Sequence, residues 1–190
     1  MRLHLNKPGI RALGVAESFR QGTKRSVLAG VVMRSDFVID GVAFGRTEVG
    51  GDDATNSIGA LHRKFSRNDI NMIMVSGAIL SLYNIVDVDE LSKRTSLPVI
   101  CLTYKETAGI EGSIRRHFPE HPDEKLEAYR RLGRRLGVKL HTGHKVYVRA
   151  SGLDRTEIKP VLDSFTLQGS VPEPLRVAKL LARAALSRRP

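Results

Sequence analysis

Five carboxylates in the first ninety positions sit where they could do chemistry. Glu17 closes an apolar run, Asp52 and Asp53 follow the pair Gly50-Gly51, and Asp87 and Asp89 open a polar, helix-forming stretch. Clustered carboxylates are what Mg2+ (or Mn2+) requires, because a hard cation takes oxygen ligands and Mg2+ keeps several waters for substrate phosphates. Two such ions beside a phosphodiester would clamp the attacking and leaving oxygens and lower the pKa of a bound water. Each Asp also has a plainer use, since Asp53 can cap a helix and Asp87 and Asp89 can start the next one. Glu17 is different. A carboxylate ending an apolar strand, with Ser18 and Phe19 behind it, has no local backbone group to serve.

Other chemistries find little support. Cys101 is the one cysteine, so neither an intrachain disulfide nor a Cys-based zinc site is available, and its apolar neighbours mark it as an inert core residue. His141-Thr-Gly-His144 places two imidazoles around a glycine, which reads as a loop. No Walker phosphate loop, dinucleotide fingerprint or nucleophile elbow is present, and Val49-Gly-Gly-Asp52 is a glycine-rich turn, which argues against nucleotide-driven enzymes and serine hydrolases. Arg130, Arg131, Arg134 and Arg135 fall at i,i+4 spacing in a helix expected over 123–136, giving two columns able to track phosphates or to pair with Glu124 and Glu127. Arg176, Lys179 and Arg183 share one face of the last expected helix. With no Trp, four Tyr and six Phe, the chain is poor in rings for a long stacking platform, although Tyr83 or Phe19 could stack on a flipped base.

The elements that must position these residues follow from hydrophobic pattern. Runs at 10–17, 26–33 and 37–44 are short, apolar and rich in β-branched residues, with polar connectors, and predict an antiparallel three-strand meander. Ile58, Leu61 and Phe65 lie at helical spacing after the glycine pair, predicting a helix over 53–65. Buried strands at 70–75 and 98–103 flank a helix at 87–94, an order that implies parallel pairing. Further helices are expected at 111–117, 123–136, 156–165 and 174–187, and a short strand at 146–149. Three antiparallel strands followed by helix, strand, helix and strand is the order of a ribonuclease H-like fold, in which acidic residues gather where the first strand, first helix and fourth strand meet; by itself the analogy licenses no activity.

Composition supports one globular domain over 1–190. The 190 residues contain 41% hydrophobic and 27% charged side chains, and no run reaches the roughly 18 apolar residues of a membrane span. Met1-Arg-Leu-His-Leu-Asn lacks the apolar core of a secretory signal, so a cytoplasmic location is expected. Thirty-one Lys and Arg against 20 Asp and Glu give +11, a charge that suits a nucleic-acid partner and equally a solubilising surface. Residues 1–105 carry 14 basic and 10 acidic groups, and 106–190 carry 17 and 10, so the later part holds +7 of the excess.

Six segments then carry a resemblance: 7–19 (Lys-Pro-Gly-Ile-Arg-Ala-Leu-Gly-Val-Ala-Glu-Ser-Phe), 41–45 (Gly-Val-Ala-Phe-Gly), 49–55 (Val-Gly-Gly-Asp-Asp-Ala-Thr), 83–87 (Tyr-Asn-Ile-Val-Asp), Pro-Val-Ile at 98–100 and 165–176 (Phe-Thr-Leu-Gln-Gly-Ser-Val-Pro-Glu-Pro-Leu-Arg). Together they resemble the archaeal endonuclease dU family, related to endonuclease V, from the N-terminus almost to the end. The resemblance implies a ribonuclease H-like domain and Mg2+-dependent cleavage of DNA near deaminated bases, deoxyuridine in particular. By the same resemblance Glu17 looks like the first-strand carboxylate, Asp52 or Asp53 like the acidic position near the first helix, and Lys105, with a one-residue shift, like a functional lysine. The fourth strand departs from the pattern, ending in Ser76-Gly77 where the family has Asp-Gly. A neutral hydroxyl is a weaker Mg2+ ligand than a carboxylate, so a second metal loses a ligand. The Pro-Tyr-Ile-Pro wedge of endonuclease V is also absent.

Three functions follow for test. The first is an endonuclease with Glu17, Asp53 and Lys105 at the reaction, metal held by Glu17, Asp52, Asp53 and Asp87, and nucleic acid held by Arg130, Arg134, Arg176 and Lys179. The second is a nucleic-acid-binding protein on the same fold whose catalysis is weakened or lost through Ser76. The third gives the basic surface to RNA or to a protein partner.

Overall fold

The computed structural model describes residues 9–106 and 109–187. Lys7 and Pro8 of the first resembling segment, and the opening residues read for a signal, lie outside them. The elements in chain order are β1 (Arg11–Ser18), β2 (Arg25–Arg34), β3 (Ile39–Glu48), α1 (Ala54–Arg63), β4 (Met72–Val75), the two-residue strands β5 (Ile79–Leu80) and β6 (Asn84–Ile85) around a 3-10 turn Ser81–Tyr83, α2 (Val88–Thr95), β7 (Val99–Thr103), α3 (Glu111–His117), α4 (Pro122–Arg131), β8 (Leu136–Lys139), β9 (Lys145–Ser151), α5 (Arg155–Ser164) and α6 (Glu173–Ser187).

Seven strands form one sheet in the order β3-β2-β1-β4-β7-β9-β8. β1, β2 and β3 are the expected antiparallel meander, and β1, β4 and β7 pair in parallel. This is the ribonuclease H-like arrangement, extended at the β7 edge by the antiparallel hairpin β8–β9. The central strands are buried on both faces because alternate residues enter different cores. Leu13, Val15, Ile73, Val75, Val99 and Cys101 meet Ile58 and Leu61 of α1 and Leu91 of α2. Ala12, Met72, Met74, Ile100 and Leu102 meet Ile158, Val161 and Leu162 of α5 and Leu175 of α6. Gly14 is a contact requirement: a Cβ there would stand 2.5 Å from the Pro174 backbone, so only glycine lets α6 lie this close to β1.

The edge strand β3 exposes Val42 and Phe44, yet Lys64 donates to the Phe44 carbonyl (2.7 Å) and Arg67 to the Asp40 carbonyl (3.1 Å). Those bonds occupy edge acceptors that another strand would use. No helix among the described residues is long and apolar enough to cross a membrane.

Two expectations need correction. The helix over 123–136 ends at Arg131, because Gly133 takes the left-handed conformation (φ 64°) and its N–H bonds back to the Arg130 carbonyl. Arg134 and Arg135 therefore lie in the link to β8, and the two i,i+4 arginine columns do not form. Leu136, read as the last residue of that helix, instead opens a strand over 136–139 that pairs with β9 and was not expected.

Candidate functional site

Alternation along β1 sends Leu13 and Val15 into the core under α1 and carries Glu17 along the same side to the end of the strand. There Glu17 is only 7% exposed. Burying a carboxylate is costly unless its oxygens are hydrogen-bonded. Ser81 meets that need twice, its N–H donating to Oε2 at 2.8 Å and its hydroxyl to Oε1 at 2.5 Å. Immediately after Ser81, Leu82 (φ 46°) and Tyr83 (φ 67°) both take left-handed conformations that side chains disfavour. Such strain persists only where surrounding contacts over-determine the chain, and it clusters at functional sites. From the opposite face, Lys179 of α6 donates to the Glu17 carbonyl. Burial, with Arg183 beside it, lowers the Lys179 pKa against the opposing pull of the Glu17 charge.

Asp53 lies at the other end of the same short turn. Its Oδ1 accepts from the Thr47 hydroxyl (2.5 Å), the Asn84 amide (2.7 Å) and the Glu48 N–H (3.0 Å), and its Oδ2 from the Ser57 hydroxyl (2.9 Å). Burial pushes its pKa up, but these four donors, Thr47 and Asn84 foremost, outweigh it and hold the carboxyl below its ordinary value. Although Asp53 precedes α1, its side chain does not cap the helix: Asn84, fully buried, accepts from the first helical N–H, that of Ala54, at 2.9 Å. Ser81 and Asn84, three residues apart, thus hold Glu17 and Asp53 respectively. The Ser81 carbonyl also accepts from Gly50 N–H, tying in the glycine turn.

Asp52 points outward, its side chain 77% exposed, and accepts from the ammonium of Lys125 at 2.6 Å. Lys125, almost wholly buried on α4, also donates to the carbonyl of Gly51 (2.7 Å) and lies 5.0 Å from the Phe118 ring centroid. It pins the turn that presents Asp52 and Asp53.

The remaining expected residues are more dispersed. Ser76 follows β4 and lines a cleft of ≈ 240 Å3 with Tyr104, Ile110, Tyr129, Arg135 and Arg149. The Tyr104 phenol is pushed up to about 12, mainly by burial, with Ser76 and Arg176 acting weakly the other way. Asp87 caps α2, accepting from Glu90 N–H at 2.9 Å, and lines a separate cleft of ≈ 280 Å3 with Arg131, Arg134, Arg149 and Arg155. Lys105 is exposed. Arg130 and Arg134 line a third cleft, of ≈ 620 Å3. Arg176 pairs with Glu173 (3.2 Å) and donates to the Gln168 carbonyl (3.0 Å), fastening its own loop. His141 and His144 belong to the β8–β9 turn, where His141 faces Asp163 at 3.3 Å.

Among the described residues, no three of His, Cys, Asp and Glu come together as a metal-holding group. Asp53 is committed to four donors and Asp87 to a helix end. Glu17 keeps acceptor capacity, since each of its oxygens receives one donor and a carboxylate oxygen can take two. Glu17 could therefore hold one hard cation with water and substrate phosphate completing its shell; Oδ2 of Asp53 and of Asp87 keep room as well, but among the described residues they do not gather with Glu17 into a three-ligand group.

Sequence reasoning missed Ser81, Asn84, Lys125 and Arg149. Asn84 lies inside the Tyr-Asn-Ile-Val-Asp segment, but nothing local marks an asparagine there as the cap of a helix thirty residues earlier. Lys125 sits between acidic residues in a helix and reads as a solvated charge; only the approach of α4 to the glycine turn buries it.

A family model described as endonuclease dU matches residues 8–186. A UPF0215 protein of Pyrobaculum aerophilum is 35% identical over 174 residues, covering 91% of this chain and 92% of that protein. Among solved structures, a protein of unknown function from Archaeoglobus fulgidus superposes with a TM-score of 0.79 at 22% identity, covering 93% of this chain and 98% of that one. Endonuclease V of Ciona intestinalis, in complex with a 24mer DNA containing an inosine followed by a ribo-adenosine, gives a TM-score of 0.63 at 12% identity over 95% of this chain and 87% of that one.

Proposed function

The chain belongs to the endonuclease dU family, and from that premise we propose that it is a metal-dependent endonuclease cutting DNA at or near deaminated bases, deoxyuridine in particular. The observation that carries the reading is Glu17: a buried carboxylate at the end of β1, its two oxygens oriented by Ser81 on a strained turn. A carboxylate so held supplies a fixed acceptor with no reorganisation at the moment of reaction. Mg2+ bound there would polarise a phosphodiester and acidify a bound water. Lys179, behind the strand, sets a positive charge near Glu17 and steadies its backbone. Tyr104 remains protonated at neutral pH and can donate a hydrogen bond beside Ser76. Asp53 and Asn84 hold the turn, while Lys105 and the basic clefts meet phosphates.

Purified protein is to be incubated with uracil-containing and undamaged duplexes, in Mg2+ and in EDTA. A nick confined to the uracil duplex and to Mg2+, and lost in Glu17→Gln, is the expected result. Equal nicking by Glu17→Gln, or none above it by the wild type, overturns the reading.

A second reading is favoured by Ser76 and by the lack, among the described residues, of a three-acid cluster: a binder whose catalysis is weakened or lost. It expects salt-dependent DNA binding without cleavage by the wild type, and metal-dependent cleavage appearing in Ser76→Asp.

A further inference from the structure

Three clefts converge on one side chain. Arg149, on β9, lines the ≈ 280, ≈ 620 and ≈ 240 Å3 clefts alike; Arg134 is shared by the first two and Arg135 by the last two. The result is one continuous basic surface leading from Ser76 and Tyr104, at the ends of β4 and β7, outward over the β8–β9 hairpin. The largest of the three clefts is lined by Arg130, Arg134, Arg135, Lys145 and Arg149 together with Glu106 and Glu111, and Glu106 accepts from the Tyr147 hydroxyl at 2.8 Å. Arg149 is half-buried, and burial, with Arg135 acting in the same sense, depresses its pKa. Crowding like charges into a partly desolvated cleft is unfavourable until an anion enters it.

The rings in the same cleft show what that anion belongs to. Lys145 and Arg135 lie 5.1 and 5.5 Å from the centroid of Tyr147, and Arg149 lies 5.7 Å from that of Tyr129. Cations interleaved with aromatic faces suit a strand that presents phosphates and unstacked bases together. A duplex keeps its base faces inside and would leave the rings without use.

We propose that the Arg134–Arg135–Arg149 cluster with Tyr129 and Tyr147 is the seat of an unpaired nucleic-acid strand beside the Glu17 site. The proposal rests on the nuclease reading only for what happens to that strand, not for its binding. The full chain is to be titrated in EDTA against a labelled, undamaged single strand of about 20 nucleotides, somewhat longer than the largest single-strand site size of about 16, and against the same-length duplex, over a series of salt concentrations.

The expected result is tighter binding of the single strand. Arg134→Ala with Lys145→Ala lowers the log–log salt slope by about 1.4, two phosphate contacts at about 0.7 each. Lys24→Ala with Arg63→Ala, exposed basic residues in the β1–β2 link and on α1, makes the same change in net charge and leaves the slope alone. Tyr147→Leu weakens binding about five- to hundredfold with no change in slope, and Tyr147→Phe, which keeps the ring, restores it. Duplex bound as tightly as single strand, or wild-type affinity in Tyr147→Leu, overturns the proposal. A protein that binds the strand but never nicks uracil DNA keeps the seat and sinks the nuclease reading; one that nicks but ignores these substitutions does the reverse.

Discussion

Asp53 shows how differently two carboxylates can be used within one small region. Glu17 accepts two donors from a single distant serine, whereas Asp53 joins β3, α1 and β6 through four. Asp53→Ala leaves the Thr47 hydroxyl and the Glu48 N–H short of an acceptor, while the buried Asn84 amide keeps the Glu48 carbonyl (2.8 Å) and the Thr47 oxygen (3.0 Å), and a loss of about 2 kcal/mol is expected from urea unfolding; Asp53→Asn, which keeps one acceptor oxygen, costs less. The sign with pH follows from the lowered folded-state pKa. The native state binds this proton less readily than the unfolded chain, so the contribution is complete above the unfolded carboxylate value, about 3.9, and is lost as pH falls through the lower folded value. The wild type is therefore expected to lose stability more steeply than Asp53→Asn below about pH 4, as read from melting temperatures at each pH; parallel curves would remove Asp53 from the anchor.

At the scale of elements, α6 has two tasks that one glycine makes compatible. It covers β1 and β2 with Ala178 against Ala16, Val31 and Met33, and it brings Lys179 to the Glu17 carbonyl. Gly14→Ala forces a methyl into the Pro174 backbone, which has no rotamer with which to yield. The expected cost is about 3 kcal/mol, the upper end for overpacking, and a urea midpoint equal to wild type would show α6 free to shift. The elements themselves were largely legible: strands β1 to β4 and β7, and helices α1, α2, α5 and α6, fall within a few residues of the pattern. The hairpin β8–β9 was half hidden, because Leu136-Gly-Val-Lys is too short to separate strand from helix by periodicity, and Gly133, the helix stop, was passed over. The consequence was functional, since the arginines expected on a helix face instead line clefts against β9.

For the whole molecule, the sheet is one continuous object whose second face depends on the C-terminal third of the chain. Deleting residues 170–190 uncovers Ala12, Ala16, Val31 and Met33, and the truncated chain is expected to bind a hydrophobic dye and to lose its cooperative thermal transition; a sharp melt near that of the full chain would show α6 to be an accessory. The same dependence explains the division between what was readable and what was not. The sequence alone determined the order of strands and helices along the chain as far as β7, the charge excess after residue 105 and the singular position of Glu17, because these rest on local periodicity, composition and a residue type out of place. Only tertiary structure decided that Ser81 orients Glu17, that Asn84 rather than Asp53 caps α1, that Lys125 is buried and that Arg149 joins three clefts. The first three join residues from thirty to more than seventy positions apart, and such pairings arise from how elements pack, which no local pattern encodes.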